Sequence, residues 1–151
     1  MLEHIRLEQA VWGSEMYEQG LKLRDSVLRQ PLGLSIYDDP LDLEQQDIHL
    51  FAVFAKNEAI VGTLLLRKVD EETLQMKQVA VDEGLRGTGV GRKLVAYGEN
   101  LACHTGYSHI ILHARQTAIP FYEKLQYVRV GDLYSEVGIL HQTMVKKLQP
   151  M

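Results

Sequence analysis

Glycines at alternate positions, Gly87-Thr88-Gly89-Val90-Gly91, form the stretch of this chain best suited to holding a charged ligand. They sit within Gln78-Val79-Ala80-Val81-Asp82-Glu83-Gly84-Leu85-Arg86-Gly87-Thr88-Gly89-Val90-Gly91-Arg92-Lys93-Leu94, where an apolar strand leads into a loop that opens directly into a helix. Glycine lets the backbone take positive φ and lets a ligand approach with no Cβ in the way. The first N–H groups of a helix have no internal acceptor and stand at the positive end of its dipole. Together these make a cradle for a phosphate or pyrophosphate, and Arg86, Arg92 and Lys93 add positive charge nearby. Two nucleotide patterns fail. A P-loop needs Lys-Ser/Thr after its last glycine, and here Arg92 follows Gly91. A dinucleotide fingerprint needs Gly-x-Gly-x-x-Gly with an acid about 20 residues on, where this chain reads His109-Ile110-Ile111. On these residues alone the loop is either an anion cradle or a glycine-rich turn without a ligand.

Other reactive side chains are scattered. Asp38, Asp39, Asp42, Glu44 and Asp47 place five acids within ten residues. Beside a binding cleft they would draw in a cationic amine; otherwise they are a solvated loop surface. His49 and His113 fall within strand patterns, as core or surface histidines do. Cys103 lies off the apolar stripe of its helix with no base evident beside it, and reads as inert. No two histidines share a helix face at i, i+4, so no metal site is expected.

Periodicity supplies the elements that must position these groups. Residues 2–7 read as a first strand. Ser14 is a suitable N-cap, with Glu15 and Glu18 in the first turn of a helix that runs to about Leu28 through Tyr17, Leu21, Arg24 and Leu28. Arg29 to Asp47 reads as a long loop, marked by Pro31, Gly33 and Asp38-Asp39-Pro40. Strands are expected over His49–Ala55, Ile60–Arg67 and Thr73–Val81, the first two joined as a hairpin. Val90, Leu94, Tyr97, Leu101 and Ala102 give the next helix its apolar stripe, with Gly106 just past its end. A strand at His109–Ala114, a short helix at about Thr117–Leu125 and strands at Tyr127–Tyr134 and Ile139–Leu148 follow. Pro120 falls in the first turn of that short helix, where a missing N–H does little harm. The order β-α-β-β-β-α-β-α-β-β describes one mixed sheet with helices on its faces.

Composition narrows the field. A chain of 151 residues with 46% hydrophobic and 24% charged residues reads as one soluble globular domain, residues 1–151. No apolar run approaches the roughly 20 residues of a membrane span, and Met1-Leu2-Glu3-His4-Ile5-Arg6 lacks the basic and apolar regions of a secretory signal. One cysteine excludes an internal disulfide and suits a reducing cytoplasm. A net charge of −4 without a basic stripe argues against nucleic acid as a partner.

Arg86-x-x-Gly89-x-Gly91, after an apolar strand and before a helix, resembles the acyl-CoA-binding motif of the GCN5-related N-acetyltransferases (GNATs). A second segment, Ala118-x-x-Phe121-Tyr122-Glu123-Lys124-Leu125-Gln126-Tyr127, is similar to the family's Ala-x-x-Phe-Tyr-x-x-x-Gly-Phe/Tyr signature, about 30 residues further on. The two in order are more specific than either alone, and the element order matches along nearly the whole chain. Leu23-Arg24-x-x-Val27 and Glu136-x-Gly138-Ile139-x-His141-x-x-Met144 resemble the small bacterial ElaA and YjcF types.

The resemblance implies a single-domain α/β (α+β) GNAT-like fold, with a mixed, mostly antiparallel sheet of about six to seven strands flanked by three or more helices. It implies acetyl-CoA as cosubstrate, with no metal, and a primary amine of a small molecule or peptide as acceptor. The pantetheine arm would lie along Val79, Ala80 and Val81 as an added strand. The pyrophosphate would rest on Arg86, Gly87, Thr88, Gly89, Val90, Gly91 and Arg92, with Arg115, Ala118, Phe121 and Tyr122 completing the cofactor site. A backbone N–H near Val79 would face the thioester oxygen. Tyr122 is the expected general acid, since a phenol with a pKa of about 10 is protonated at neutral pH; the alternative is an aromatic anchor, the role given to Phe121. Gln75 stands where some relatives carry a glutamate base, which leaves Glu136 and His141 as candidates, or as residues that order the last strands. Arg115 replaces an Asn or Gln that reaches the pantetheine, and Gln126 replaces a glycine. Proteins of this type often pair their final strands across a homodimer. The alternative function is a non-catalytic acetyl-CoA sensor of the same fold.

Overall fold

A computed structural model describes residues 2–149. Seven strands and three α-helices follow in the order β1 (Ile5–Ala10), α1 (Glu15–Arg24), β2 (Ile48–Phe54), β3 (Ala59–Lys68), β4 (Thr73–Val81), α2 (Val90–His104), β5 (His109–Arg115), α3 (Ile119–Lys124), β6 (Val128–Glu136) and β7 (Ile139–Lys147). Hydrogen-bonded neighbours in the sheet run β1-β2-β3-β4-β5-β7-β6. This is the mixed, mostly antiparallel GNAT-like sheet that the element order implies. By contact the chain divides into two units, one of residues up to Arg67 with Gln78–Gly98 and one of Lys68–Lys77 with residues from Glu99 on.

In the first unit, β1 pairs antiparallel with β2 from Ile5↔Phe54 to Ala10↔His49, and β2 with β3. The first strand therefore lies later than the expected 2–7. Leu2–His4 forms a 3-10 turn instead, and His4 O closes the end of the ladder by accepting from Ala55 N at 2.7 Å. Ser14 caps α1 by accepting from Tyr17 N. Past Arg24 the helix widens into a π-turn, Asp25–Arg29. The expected loop then contains three short 3-10 turns, Gln30–Leu32, Ile36–Asp38 and Leu41–Glu44. Remote contacts build them. Asp25 Oδ1 accepts from Ile36 N at 2.8 Å, and Trp12 Nε1 donates to Leu41 O at 2.9 Å. Ile36 is fully buried and packs with Tyr17, Leu21, Phe51 and Val53, each large apolar side chain stabilising the fold by about 1.5–3 kcal/mol.

Gly62 on β3 sets the approach of the glycine loop's helix. A Cβ there would stand 3.3 Å from Leu94 Cδ2 and 3.4 Å from Val90 Cγ1. The first turn of α2 thus packs directly on β3, with Val90 and Leu94 buried.

In the second unit, the first half of β4 pairs parallel with β5 from Thr73↔His109 to Met76↔Leu112. β5 pairs antiparallel with β7, and β7 with β6, which is irregular between Val130 and Tyr134. Gln142 Nε2 satisfies that irregularity by donating to Val130 O and Gly131 O, each at 3.0 Å. Tyr127 is buried, gives its hydroxyl to Glu99 at 2.8 Å and lies under Lys146, 5.6 Å from the ring centre. At the end of α2, Gly106 N donates to Cys103 O and Tyr107 N to Ala102 O, which closes the helix there.

Candidate active site

The cradle residues are contiguous on β4, the loop and α2. The loop is fixed at its base by Asp82, whose N–H donates to Val61 O at 2.8 Å and whose Oδ1 accepts from Gly84 N at 2.9 Å. Thr88 then bonds back to Leu85 O through both its amide and its hydroxyl. Gly87 at φ 79 and Gly89 at φ 96 both take the left-handed conformation. A Cβ on Gly87 would meet no protein atom within 4 Å, so the outer side of the loop is open. Lys93 is the first residue of the turn to donate back into it, to Gly89 O at 3.0 Å. The N–H groups before it have no intrahelical acceptor by helix geometry, and Arg86 and Arg92 are exposed beside them. An anionic, phosphate-bearing group fits this arrangement.

The strand leading into the loop holds a feature that spacing did not reveal. Gln78 has φ 56, a left-handed residue inside β4, at a cost of roughly 1–3 kcal/mol for a non-glycine. Val79 and Val81 are half-buried and Ala80 is buried. Gln78 also lines a narrow crevice with Tyr17, Arg24, His49 and Thr63. There Arg24 and Glu44 form a bidentate ion pair at 2.6 and 2.8 Å, both under 10% exposed. Tyr17 Oη donates to the same carboxylate at 2.8 Å. His49 Nε2 donates to Glu44 O at 2.9 Å. Burial alone would raise the Glu44 carboxyl, but the Arg24 bonds outweigh it and hold the group below its ordinary range. Burial pushes the Tyr17 phenol up, aided by Glu44, and pushes the His49 imidazole down. Among the described residues, Arg24 Nε is the buried side-chain atom without a hydrogen-bond partner.

This network changes the reading of the acidic loop. Glu44 pairs with Arg24, Asp39 with Arg29 at 2.7 Å and Asp47 with Arg67 at 2.7 Å. Internal arginines thus neutralise three of the five acids, which weakens any attraction for a cationic amine. Sequence spacing showed the acids but not their partners, which lie 10 to 20 residues away.

In the second unit, Tyr122 lies on α3 and is 6% exposed. Its ring meets Phe121 at 5.0 Å and Tyr127 at 5.7 Å, both edge-on. Burial pushes its phenol well above the ordinary tyrosine range. Phe121, Ala118 and Arg115 are half-buried. Arg115 on β5 is the register partner of His141 on β7, and His141 pairs in turn with Tyr134 on β6. The His141 ring stacks on Tyr134 at 5.8 Å, and its Nδ1 donates to Ile139 O at 2.9 Å, which leaves Nε2 as the basic nitrogen. Glu136 is exposed at the end of β6, opposite Ile139. His113, read as an ordinary strand histidine, sits edge-on to Tyr134 at 6.1 Å with Nδ1 3.0 Å from Thr143 Oγ1. Desolvation lowers its pKa, with Lys77 and His141 helping and Glu136 opposing. Gln126 adopts φ 78, so it takes the left-handed conformation despite its side chain. Among the described residues no three His, Cys, Asp or Glu side chains converge to hold a metal ion, and no helix is long and apolar enough to cross a membrane.

Residues 35–148 match the family model described as an acetyltransferase (GNAT) domain. The uncharacterized Bacillus subtilis protein YyaT is 28% identical over 132 residues, covering 86% of this chain and 88% of its own. Escherichia coli ElaA is 25% identical with a TM-score of 0.78, over 95% of this chain and 99% of ElaA. A GNAT family acetyltransferase from Elizabethkingia anophelis, crystallised with acetyl-CoA bound, shares the fold at a TM-score of 0.73 and 17% identity, over 97% of this chain and 99% of its own.

Proposed function

The chain belongs to the GNAT acetyltransferase domain family, and from that premise we propose that it moves an acetyl group from acetyl-CoA to a primary amine of a small molecule or peptide, in the cytoplasm and as a single catalytic domain. The observation that carries this reading is the loop before α2, with Gly87 and Gly89 left-handed and open space where a Cβ on Gly87 would stand. Pyrophosphate is held by main-chain N–H groups between Arg86 and Arg92, with the two arginines as counter-charges. The pantetheine arm runs along Val79–Val81.

The acceptor must be a neutral amine, because an ammonium has no lone pair. Its nitrogen attacks the thioester carbon, forming the C–N bond while the Val79 N–H steadies the oxyanion. Collapse breaks the C–S bond, and Tyr122 gives its proton to the departing thiolate. The proton released by the amine passes through His141 Nε2 or Glu136 to water, and a proton from solvent restores Tyr122. Gln75 gives specific support to a second reading, a sensor that binds acetyl-CoA without turning it over, since a glutamine cannot serve as the strand base. The two separate in one experiment. Purified protein is incubated with acetyl-CoA and a panel of primary amines while free thiol is followed. Amine-dependent thiol release supports the transferase, and binding without release across the panel supports the sensor.

A further inference from the structure

Gln78 stands at φ 56 in β4, a conformation that a glutamine keeps only where its surroundings over-determine it. The parallel pairing of β4 ends at Met76, two residues earlier, so the β5 ladder does not fix this residue. Its side chain has a defined partner. Gln78 Oε1 accepts a hydrogen bond from Arg29 Nη2 at 3.3 Å. Arg29 closes the π-turn that extends α1, and its guanidinium is held in place. Nε and Nη2 donate to the two Asp39 oxygens at 3.2 and 2.7 Å, and Nη1 donates to Leu28 O at 3.2 Å. The Arg29 and Asp39 side chains are only 17% and 24% exposed, so solvent screens the pair weakly.

We propose that Arg29 is a positioning residue for acetyl transfer. Anchored by Asp39, it grips the Gln78 side chain and locks the left-handed turn that directs the Val79 main-chain N–H. This rests on the acetyl-CoA reading above. Only a forked, planar cation can serve Asp39, Leu28 and Gln78 together; a lysine, with one nitrogen, cannot. Asp39 belongs to the stretch between α1 and β2, so the clamp also ties that stretch to the oxyanion donor.

The spectroscopic arm of the test needs no acceptor; thiol release is followed with the amine panel above. Wild-type protein, Arg29→Met, Arg29→Lys and the double variant Arg29→Met with Gln78→Gly are loaded with acetyl-CoA carrying a ¹³C carbonyl, and the bound thioester band is read by infrared difference spectroscopy. Calorimetric affinity and thermal melting are measured alongside. Arg29→Met is expected to keep its affinity within about threefold while the band shifts back toward its position in free acetyl-CoA, and thiol release falls by roughly tenfold or more. Arg29→Lys should behave the same way. Gln78→Gly should restore both band and turnover, since glycine holds positive φ without a clamp. An unmoved band in folded Arg29→Met would overturn the proposal. So would a shifted band that Gln78→Gly fails to return to its wild-type position, because that would mean a general packing defect. No bound band in the wild-type protein would instead overturn the acetyl-CoA reading itself.

Discussion

At the scale of single residues, burial decides what Tyr122 can do. A phenol pushed above its ordinary range stays protonated near neutral pH, so in the proposed reaction it can serve only as a donor. The same burial makes it a weaker acid. Tyr122→Phe should therefore lower kcat by roughly 10²-fold or more while leaving acetyl-CoA affinity intact, as steady-state kinetics beside calorimetry would show. The wild-type profile of kcat against pH should show no alkaline limb attributable to Tyr122 below about pH 10. Gly89→Glu probes the glycine loop. Its backbone stands at φ 96, so a side chain there is strained, and a carboxylate would also repel the pyrophosphate. Acetyl-CoA binding should disappear in that variant with the fold retained by circular dichroism. Both residues were legible in the sequence because their motifs are contiguous. Gln78 was not, because nothing about a glutamine in an apolar strand announces positive φ.

Elements show where reading by periodicity stops. Alternation and turn residues located β2 to β7 within a residue or two, since each pattern is local. The stretch from Arg29 to Asp47 read as a loop because its order comes from partners far along the chain. Asp25 meets Ile36, Arg29 meets Asp39, and Arg24 meets Glu44. The last of these joins α1 to the stretch before β2 and is buried. Glu44→Gln would leave the Arg24 charge uncompensated, at a cost of about 3–5 kcal/mol in chemical denaturation. Removing both charges together with apolar residues of similar size should cost far less, because the buried charge is then gone as well. A double-mutant cycle giving purely additive losses would contradict this account of the pair.

Across the whole molecule, the same network makes stability depend on pH. His49 and Glu44 are both held below their ordinary values of 6.5 and 4.5 when folded. Each therefore binds fewer protons in the folded than in the unfolded chain, and stability rises with pH through that interval. The contribution is complete above about pH 6.5. Acidification removes it first below His49's ordinary value and then below Glu44's. A series of Tm values from pH 8 to 4 should fall in that order, and His49→Gln should flatten the upper part. The fold class was legible because two motifs and the element order agreed; the acceptor was not, because no contiguous segment encodes it. The account's central claim is that the glycine loop holds acetyl-CoA, and calorimetric titration of the folded protein with acetyl-CoA, without any acceptor, tests it most directly. Micromolar, saturable binding at one site per chain is the predicted result, whereas a folded protein that takes up no acetyl-CoA would contradict it.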